Sequence, residues 1–229
     1  MTTIGMILFN GMTQLDLTGP LEVFTRFPDT TVHLISKIKD PVTCDRGLTI
    51  VPNTAFVDCP EKLTVLFVPG GPGVTAVLAD EKYLAFIRSR GQADYITSVC
   101  TGSIILAACG LLTGFRATTH WLSLNLLERF NITLENSRVV IDRNRITGAG
   151  VTSGIDFALT LASELFGEPI AKEIQLMIEY NPKPPFASGT PDLAEPSLVK
   201  KVVEQRAAAQ QKRLEEIDRF ILSRSKAFR

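Results

Sequence analysis

Short, almost entirely apolar segments alternate along this chain with segments whose apolar residues recur at helical spacing. A strand that is apolar on both faces has to be covered on both faces, which is the situation of a parallel sheet between two layers of helices. The sequence therefore predicts an α/β fold with a doubly wound, mostly parallel sheet of the flavodoxin-like type. The predicted strands are residues 4–9, 31–36, 63–68, 95–99, 139–142 and 145–147, and the predicted helical segments are 17–24, 81–90, 104–108, 121–130 and 153–166.

Two segments depart from this alternation. The turn sequence Asp45-Arg46-Gly47 separates residues 42–43 from residues 48–51 and predicts a hairpin. Residues 197–228 carry apolar side chains on a charged background, which predicts one or two amphipathic helices after a proline-rich linker at 182–196. We therefore expect residues 1–185 to form an α/β domain and residues 186–229 to form a helical extension, packed on that domain or on a second subunit.

Charge and composition exclude several classes of protein. Lys and Arg together total 24, as do Asp and Glu, so the chain offers no basic surface for a nucleic acid backbone. The start MTTIGMILFN lacks the features of a signal peptide, and no apolar run reaches the about 18 to 20 residues that span a bilayer. We expect a cytoplasmic protein whose four cysteines, which include no C-x-x-C pair, remain thiols. The cysteines and the only two histidines, His33 and His120, show no metal-ligand spacing, so we expect neither a metal nor a cofactor.

Four loops are predicted to meet at one edge of the sheet. Doubly wound sheets bind their ligands beyond the carboxyl ends of their strands. The segments that follow those ends contain Asp16, the pair Gly70-Gly71, the pair Cys100-Thr101, and residues 148–151 with the sequence GAGV. We expect the functional site to be built from these segments.

Cys100 stands where a predicted buried strand turns directly into a helix, in the run ADYITSVCTGSIILAACG. Backbone N–H groups and the positive end of a helix dipole beside the sulfur favour the thiolate, as at the strand-to-helix turn of serine hydrolases. A buried structural cysteine is the alternative, and the local pattern does not choose between the two.

Asp16 and the Gly70-Gly71 pair also have two interpretations each. Asp16 lies between two leucines, so desolvation could raise its pKa and let it exchange a proton with Cys100. Helix capping by Asp16 or Thr18 is the interpretation that the sequence alone favours. The glycine pair could present free N–H groups to a ligand or form a plain turn, and neither glycine-rich phosphate-binding pattern follows the strands.

His120 has two interpretations as well, because a histidine in the sequence TTHW could reach Cys100 as a general base. We favour a histidine at the entry to the helix predicted from Trp121, packed beside that aromatic ring. Cys44, Cys59 and Cys109 are interpreted as structural.

Taken together and in order, the motifs LDLTGPLEVF, VPGGPG, SVCTGS, ATTHW and TGAGVTSGIDFALTLASELFG resemble the ThiJ/PfpI superfamily of the glutamine-amidotransferase-like fold, and most closely its isocyanide hydratases. The match runs from about Ile4 to Pro185. The resemblance implies that Cys100 is the nucleophile and that Asp16 is its acidic partner, where many relatives carry glutamate. Thr101 occupies the position where hydrolase relatives place a histidine, which argues against a Cys-His hydrolase.

The function implied by this resemblance is the hydration of isocyanides to N-substituted formamides through a thioimidate, with Cys100 as the nucleophile and Asp16 as general acid and base. We expect Thr101, the Gly70-Gly71 backbone and Val151 to bind the substrate. The resemblance also implies a homodimer and a small isocyanide as the partner, and the charge and composition given above predict no nucleic acid or membrane partner.

Two other classes of function stay open at this stage. AraC-type regulators carry a similar domain as a ligand sensor, although the segment after Pro196 is too short and too mixed in charge for a pair of helix-turn-helix modules. A redox sensor or stress protein would instead use Cys100 as a thiol that is oxidised to a sulfinate.

Overall fold

The computed structural model describes residues 1–227 as eleven strands, eight α-helices and three short 3-10 turns. The strands are β1 (Thr2–Ile7), β2 (Thr30–Ser36), β3 (Val42–Thr43), β4 (Thr49–Ile50), β5 (Thr54–Ala55), β6 (Val65–Val68), β7 (Tyr95–Val99), β8 (Arg116–Ala117), β9 (Thr133–Leu134), β10 (Val139–Asp142) and β11 (Arg145–Gly148). The helices are α1 (Gln14–Phe24), α2 (Val74–Leu78), α3 (Glu81–Ser89), α4 (Gly102–Ala108), α5 (Leu124–Leu127), α6 (Ser153–Phe166), α7 (Glu168–Met177) and α8 (Pro196–Ala227).

The central sheet has seven strands in the order β10-β11-β7-β6-β1-β2-β5. Every neighbouring pair is parallel except β10 and β11, which confirms the predicted mostly parallel, doubly wound sheet. The chain runs outward from β1 to β2 and β5, then returns to the other side of β1 for β6, β7 and β11. The order therefore reverses between β1 and β6, and ligand sites of such sheets lie at this switch point.

The central strands are buried on both faces, as their continuous apolar sequences predict. All four residues of β6 are fully buried, and the last four residues of β1 are buried as well. Side chains on the two faces of a strand point in opposite directions, so burial of consecutive residues requires cover on both sides. The helices supply that cover: α1 and α6 pack against each other, and α2 packs against α4.

Several predicted elements are confirmed within a residue or two, and β7 and α6 have the predicted bounds. The hairpin is confirmed as the antiparallel pair of β3 and β4. The continuous helix predicted over residues 121–130 is wrong, because a 3-10 turn (Trp121–Ser123), α5 and a second 3-10 turn (Glu128–Phe130) replace it. Ser123 has a φ of −121°, and its buried hydroxyl bonds to α8. A hydroxyl that takes a tertiary hydrogen bond in this way competes with helix continuation.

The predicted amphipathic segment at the end of the chain is one helix of 32 residues, α8, and the predicted end at Phe228 lies outside the described residues. Ile217 of α8 is fully buried in the main core, and α8 contacts α2 and the turn at Trp121. The division of the chain at residue 185 stays a prediction. Of the helices within residues 1–227, none is both long and apolar enough to cross a bilayer.

Candidate active site

Cys100 occupies a strained corner between β7 and α4. Its φ is +55°, a left-handed value that costs a residue with a side chain on the order of 1–3 kcal/mol. The backbone is fixed on both sides: the Cys100 N–H donates to the Gly148 carbonyl at 3.0 Å, and the Cys100 carbonyl accepts from the Thr119 and Ser103 hydroxyls at 2.9 and 3.2 Å. The predicted strand-to-helix corner is present, and three separate segments hold it.

The environment of the Cys100 sulfur disfavours the thiolate in the resting protein. Burial is the largest cause and raises the pKa of the thiol well above its ordinary value, and the negative charge of Asp16 raises it further. The Thr101 N–H bonds to the sulfur and lowers this pKa, as does the positive charge of Arg213. The predicted effect of the N–H groups at the start of α4 is therefore present, but burial and Asp16 outweigh it.

Asp16 lies in the first turn of α1 and is fully buried. Its Oδ2 accepts a hydrogen bond of 3.1 Å from the Gly70 N–H, whereas Oδ1 has no hydrogen-bond partner among the described residues. Burial raises the pKa of the carboxyl from 3.8 to about 7, interactions with Cys100 and the Gly70 N–H lower it, and Asp45 raises it again. A carboxyl group that titrates near neutral pH is suited to exchanging protons.

The capping interpretation of Asp16, which the sequence favoured, is wrong. The N-cap of α1 is Thr13, and the Asp16 carboxylate accepts from Gly70, a residue of another loop. Thr18 is not a cap either, since it lies inside the helix and its hydroxyl donates to the Gln14 side chain at 2.9 Å. Asp16 therefore does not cap α1, and its carboxylate contacts the loop after β6 instead.

The Gly70-Gly71 pair lies against the Cys100 corner, but its N–H groups are already in use. Gly70 donates to Asp16, and Gly71 donates to the Thr101 hydroxyl at 3.0 Å. A methyl group on Gly70 would lie 2.4 Å from the Thr101 nitrogen and 2.9 Å from the Cys100 Cβ, which is closer than packed atoms approach. The expectation that these two N–H groups face a ligand is therefore wrong for this structure. They orient Asp16 and Thr101.

The remaining predicted residues lie around this corner. Thr101 is buried beside Gly71, and its hydroxyl is 3.4 Å from the Gly71 carbonyl. Val151 is half-buried in the turn between β11 and α6, and β11 reaches the corner through the hydrogen bond from Cys100 to Gly148. A side chain on Gly150 would contact the ring of His120. The structure thus brings Asp16, Gly70 and Thr101 next to Cys100 and leaves Val151 in the adjoining turn.

His120 caps the 3-10 turn that begins at Trp121, as the sequence favoured. Its Nδ1 accepts a hydrogen bond from the Leu122 N–H at 3.3 Å, and its ring stacks on Trp121. Burial lowers the pKa of the ring, and the positive charges of Arg213 and Arg206 lower it further. Within residues 1–227, no hydrogen bond joins His120 to Cys100, so its contacts favour the structural interpretation over the general base.

Sequence reasoning missed a polar cluster that α8 brings to this region. Arg213 is buried, and one of its terminal nitrogens donates to Ser123 Oγ at 3.1 Å and to Gln210 Oε1 at 3.2 Å. A signal was available, because Arg213 lies four residues before the apolar Ile217 and therefore on the same face of a helix. The part of the chain that the structure describes contains no group of three or more His, Cys, Asp or Glu that could hold a metal ion.

Comparison with known proteins extends over most of these elements. The family described as DJ-1/PfpI matches residues 2–164, which include Asp16, Gly70 and Cys100. The chain is 53% identical over 206 residues to the isonitrile hydratase of Pseudomonas putida, with 90% of each chain covered. It is 28% identical over 192 residues to the HTH-type transcriptional regulator GbdR of Pseudomonas aeruginosa, with 78% of this chain and 50% of the regulator covered. A solved structure of a THiJ/PfpI family protein from Pseudomonas syringae superposes with a TM-score of 0.92 at 44% identity, covering 94% of this chain and 90% of that chain.

Proposed function

The chain belongs to the DJ-1/PfpI family, and we propose that within this family it is an isocyanide hydratase, which adds water to R–N≡C and releases an N-substituted formamide. The isonitrile hydratase of Pseudomonas putida is similar over 90% of both chains. This similarity is stronger and more complete than that to the regulator GbdR. The activity of that relative therefore has the best support for this chain.

One structural observation carries the proposal: a buried carboxyl that titrates near neutral pH lies beside a cysteine on a strained corner. Asp16 has a pKa of about 7, and Asp16 and Cys100 each shift the pKa of the other. An isocyanide needs a nucleophile and a proton donor at the same carbon, and this pair supplies both. Because His120 Nδ1 accepts a hydrogen bond from the Leu122 N–H, we assign the role of proton donor to the Asp16 carboxyl.

In the first step, the Cys100 thiolate forms a bond to the terminal carbon of the isocyanide. The lone pair of that carbon takes the proton of Asp16, so that the triple bond becomes the C=N bond of a thioimidate, R–N=CH–S–Cys100. Asp16 is left as a carboxylate. Because the proton is delivered to carbon, no oxyanion forms in this step, and an oxyanion hole is not required.

In the second step, a water molecule attacks the same carbon. Asp16 takes a proton from the water and passes it to the nitrogen, which gives a tetrahedral adduct. Asp16 then removes the hydroxyl proton as the C–S bond breaks, so that the formamide leaves together with a thiolate. This returns the pair to the reactive form in which the first step began, a thiolate beside a carboxylic acid, and one water has been consumed for each formamide.

The other predicted site residues have distinct parts in this proposal. Gly70 and Gly71 act through the residues that they orient, because their N–H groups bond to Asp16 and Thr101. Thr101 and Val151 are proposed to contact the substrate next to Cys100. A homodimeric assembly and a cytoplasmic location also stay proposals for this chain.

Turnover of a model isocyanide tests the proposal directly. The protein is incubated with an aryl isocyanide, and formation of the formamide is followed by absorbance. We expect wild-type turnover, none for Cys100→Ala, and the loss of most of the rate for Asp16→Asn. Cys59→Ala and Asp58→Asn are matched controls, since both residues lie beyond β5 in segments that contribute nothing to the candidate site. Full activity of Cys100→Ala would overturn the proposed chemistry.

The similarity to GbdR supports a second candidate function, a ligand sensor that does not use Cys100 chemically. Binding of a ligand that persists after alkylation of Cys100, together with no turnover of any isocyanide, would favour the sensor. A redox role would instead appear as the addition of two oxygen atoms to Cys100 under mild peroxide, detected by mass spectrometry.

A further inference from the structure

Arg213 of α8 is a buried, positively charged side chain that has no carboxylate partner among the described residues. The residue is 8% exposed, and among the residues that the structure describes it forms no ion pair. One terminal nitrogen donates to two neutral groups, Ser123 Oγ and Gln210 Oε1, and the buried Nε has no hydrogen-bond partner. Arg213 is therefore an uncompensated buried cation.

Such a cation is costly unless something negative lies near it. Removing an ion from water costs several kcal/mol, by order of magnitude, when no opposite charge replaces the water. Other basic groups escape this cost by losing their proton, but an arginine in a protein keeps its charge. An anion elsewhere in the folded protein is the most direct compensation for Arg213.

Arg213 and the Cys100 corner are both hydrogen-bonded to one short segment, residues 118–123. The hydroxyl of Ser123, which accepts from Arg213, belongs to the segment that begins at Thr118. In this segment the Thr119 hydroxyl donates to the Cys100 carbonyl at 2.9 Å, and Thr118 donates to the Thr147 hydroxyl at 2.9 Å. Thr118, Thr119 and Ser123 are each at most 1% exposed, so these hydrogen bonds are buried, while residues 120–122 between them are half-buried.

We propose that Arg213 is a positioning residue for the reaction: from α8, its fixed charge holds the negative charge of the reacting pair on Cys100 and the shared proton on Asp16. This inference rests on the proposed function and adds to it an element outside the residues that match the family. The step is a proton transfer from Sγ of Cys100 to the carboxyl of Asp16. No other atom moves, and the net charge of the pair is unchanged.

The charges around the pair are consistent with this role. Burial and Asp16 raise the pKa of Cys100, whereas Arg213 lowers it, and Cys100 in turn raises the pKa of Arg213. Asp45 acts on Asp16 and raises its pKa, so it too favours the proton on Asp16. The other titratable or charged groups of this region are His120, whose pKa is lowered, and Arg206, whose positive charge contributes to that lowering.

The proposed chemistry needs this bias because both steps begin or end with a thiolate beside a carboxylic acid. The pKa of Cys100 lies above that of Asp16, so the pair by itself favours the opposite arrangement, a thiol beside a carboxylate, in which neither group is ready to react. The charge of Arg213 lowers the pKa of Cys100, which shifts the proton in the productive direction. The C-terminal helix would thus supply the charge that the local corner lacks.

The test is the ultraviolet absorbance of the Cys100 thiolate as a function of pH, with the same titration of Cys100→Ser subtracted. In Arg213→Met we expect the midpoint to move upward by about one pH unit, which is about a tenfold loss of thiolate at a fixed pH. Arg213→Lys should keep most of the thiolate. Lys212→Met is the matched control, because it removes the same charge from an exposed neighbouring position and should leave the midpoint unchanged.

A second variant leaves Arg213 in place. Gln210→Glu puts a carboxylate at the atom that accepts the 3.2 Å hydrogen bond from Arg213, so it pairs the cation and should move the midpoint in the same direction as Arg213→Met. A purely structural role for Arg213 predicts no such shift. Circular dichroism confirms that each variant is folded.

An unchanged midpoint in folded Arg213→Met, or in folded Gln210→Glu if Arg213→Met does not fold, would overturn the inference. The titration uses no isocyanide, so its result is separate from the turnover assay. A protein that titrates as expected but does not hydrate isocyanides would overturn the proposed function alone, and an active protein with an unchanged midpoint would overturn this inference alone.

Discussion

The Gly70 N–H donates a hydrogen bond of 3.1 Å to Oδ2 of Asp16 and so joins the loop after β6 to the first turn of α1. These two elements lie on either side of the point where the strand order reverses. The bond fixes one carboxyl oxygen and leaves Oδ1 without a partner among the described residues. An oriented carboxyl with one oxygen available is the arrangement that proton exchange with a neighbouring group requires.

Gly70→Ala should displace the Cys100 corner. The new methyl group would lie 2.4 Å from the Thr101 nitrogen and 2.7 Å from its hydroxyl oxygen, so the backbone of the corner has to move. We expect a loss of about 1–3 kcal/mol in the free energy of unfolding from overpacking. Because a shift of about 1 Å in a reacting group costs on the order of 100-fold in rate, we also expect at least that loss of turnover.

Urea denaturation and initial rates with an aryl isocyanide measure the two effects of Gly70→Ala. Gly189→Ala is the control, because no atom lies within 4 Å of a methyl group placed on Gly189. Equal activity of the two variants would mean that the close approach of Gly70 to the corner is not needed.

The pH dependence of kcat/KM should follow the ionisation of Asp16, whose pKa is about 7. Below this pH the carboxyl and the thiol are both protonated, and one proton has to leave before a thiolate can form beside a carboxylic acid. The pKa of Cys100 is raised well above its ordinary value, so the second proton does not leave in this pH range. Above pH 7 the pair therefore keeps a single proton. We therefore expect kcat/KM to rise through an apparent pKa near 7 and then level off.

Initial rates across this pH range give the profile, which belongs to the pair rather than to either residue. Asp58→Asn should leave its midpoint in place. A profile that is flat through neutral pH would contradict the assignment of Asp16 as the proton donor.

Asp16→Asn should stabilise the protein at alkaline pH. The folded carboxyl has a pKa of about 7 against 3.8 ordinarily, so the folded state binds the extra proton and loses stability as the pH rises from 3.8 to about 7. The full loss above pH 7 is about 4 kcal/mol as an upper bound. Asparagine carries no charge and avoids it, while its amide oxygen still accepts from Gly70.

Urea denaturation of wild type and Asp16→Asn at several pH values measures this difference in the free energy of unfolding. The advantage of the variant should be largest above pH 7 and should shrink steadily as the pH falls toward 4. An advantage that is the same at every pH would show that the buried carboxyl is not its source.

Thr101→Val should destabilise the glycine loop. The substitution keeps the shape of the side chain but removes the oxygen that accepts the 3.0 Å bond from the Gly71 N–H. A buried donor left without a partner costs about 1–3 kcal/mol. We expect this loss in the free energy of unfolding and a lower turnover rate.

Thr101→Ser is the matched control, because it retains the hydroxyl and should keep both the stability and the rate close to those of wild type. The same denaturation and rate measurements apply. If Val and Ser behave alike, the hydroxyl of Thr101 does not orient the loop.

Much of the fold follows from local sequence. The bounds of β7 and α6 were predicted correctly because burial on both faces of a strand, and apolar residues at helical spacing, are properties of short segments. The helix predicted over residues 121–130 failed for the opposite reason. There Ser123 bonds to Arg213, 90 residues away, and this bond competes with a regular helix.

The sequence by itself determined the parallel sheet, the corner at Cys100 and the presence of Asp16 in a segment after β1, because each depends on apolar pattern and chain order. Only the tertiary structure decided what these residues do. It showed that Asp16 accepts a hydrogen bond from a backbone group 54 residues away instead of capping its own helix. It also showed that the N–H groups of Gly70 and Gly71 donate to side chains of the protein, and that α8 brings Arg213 into the interior. The physical reason is that burial, hydrogen bonding and charge at one point depend on every segment that packs there, and those segments are distant in the chain.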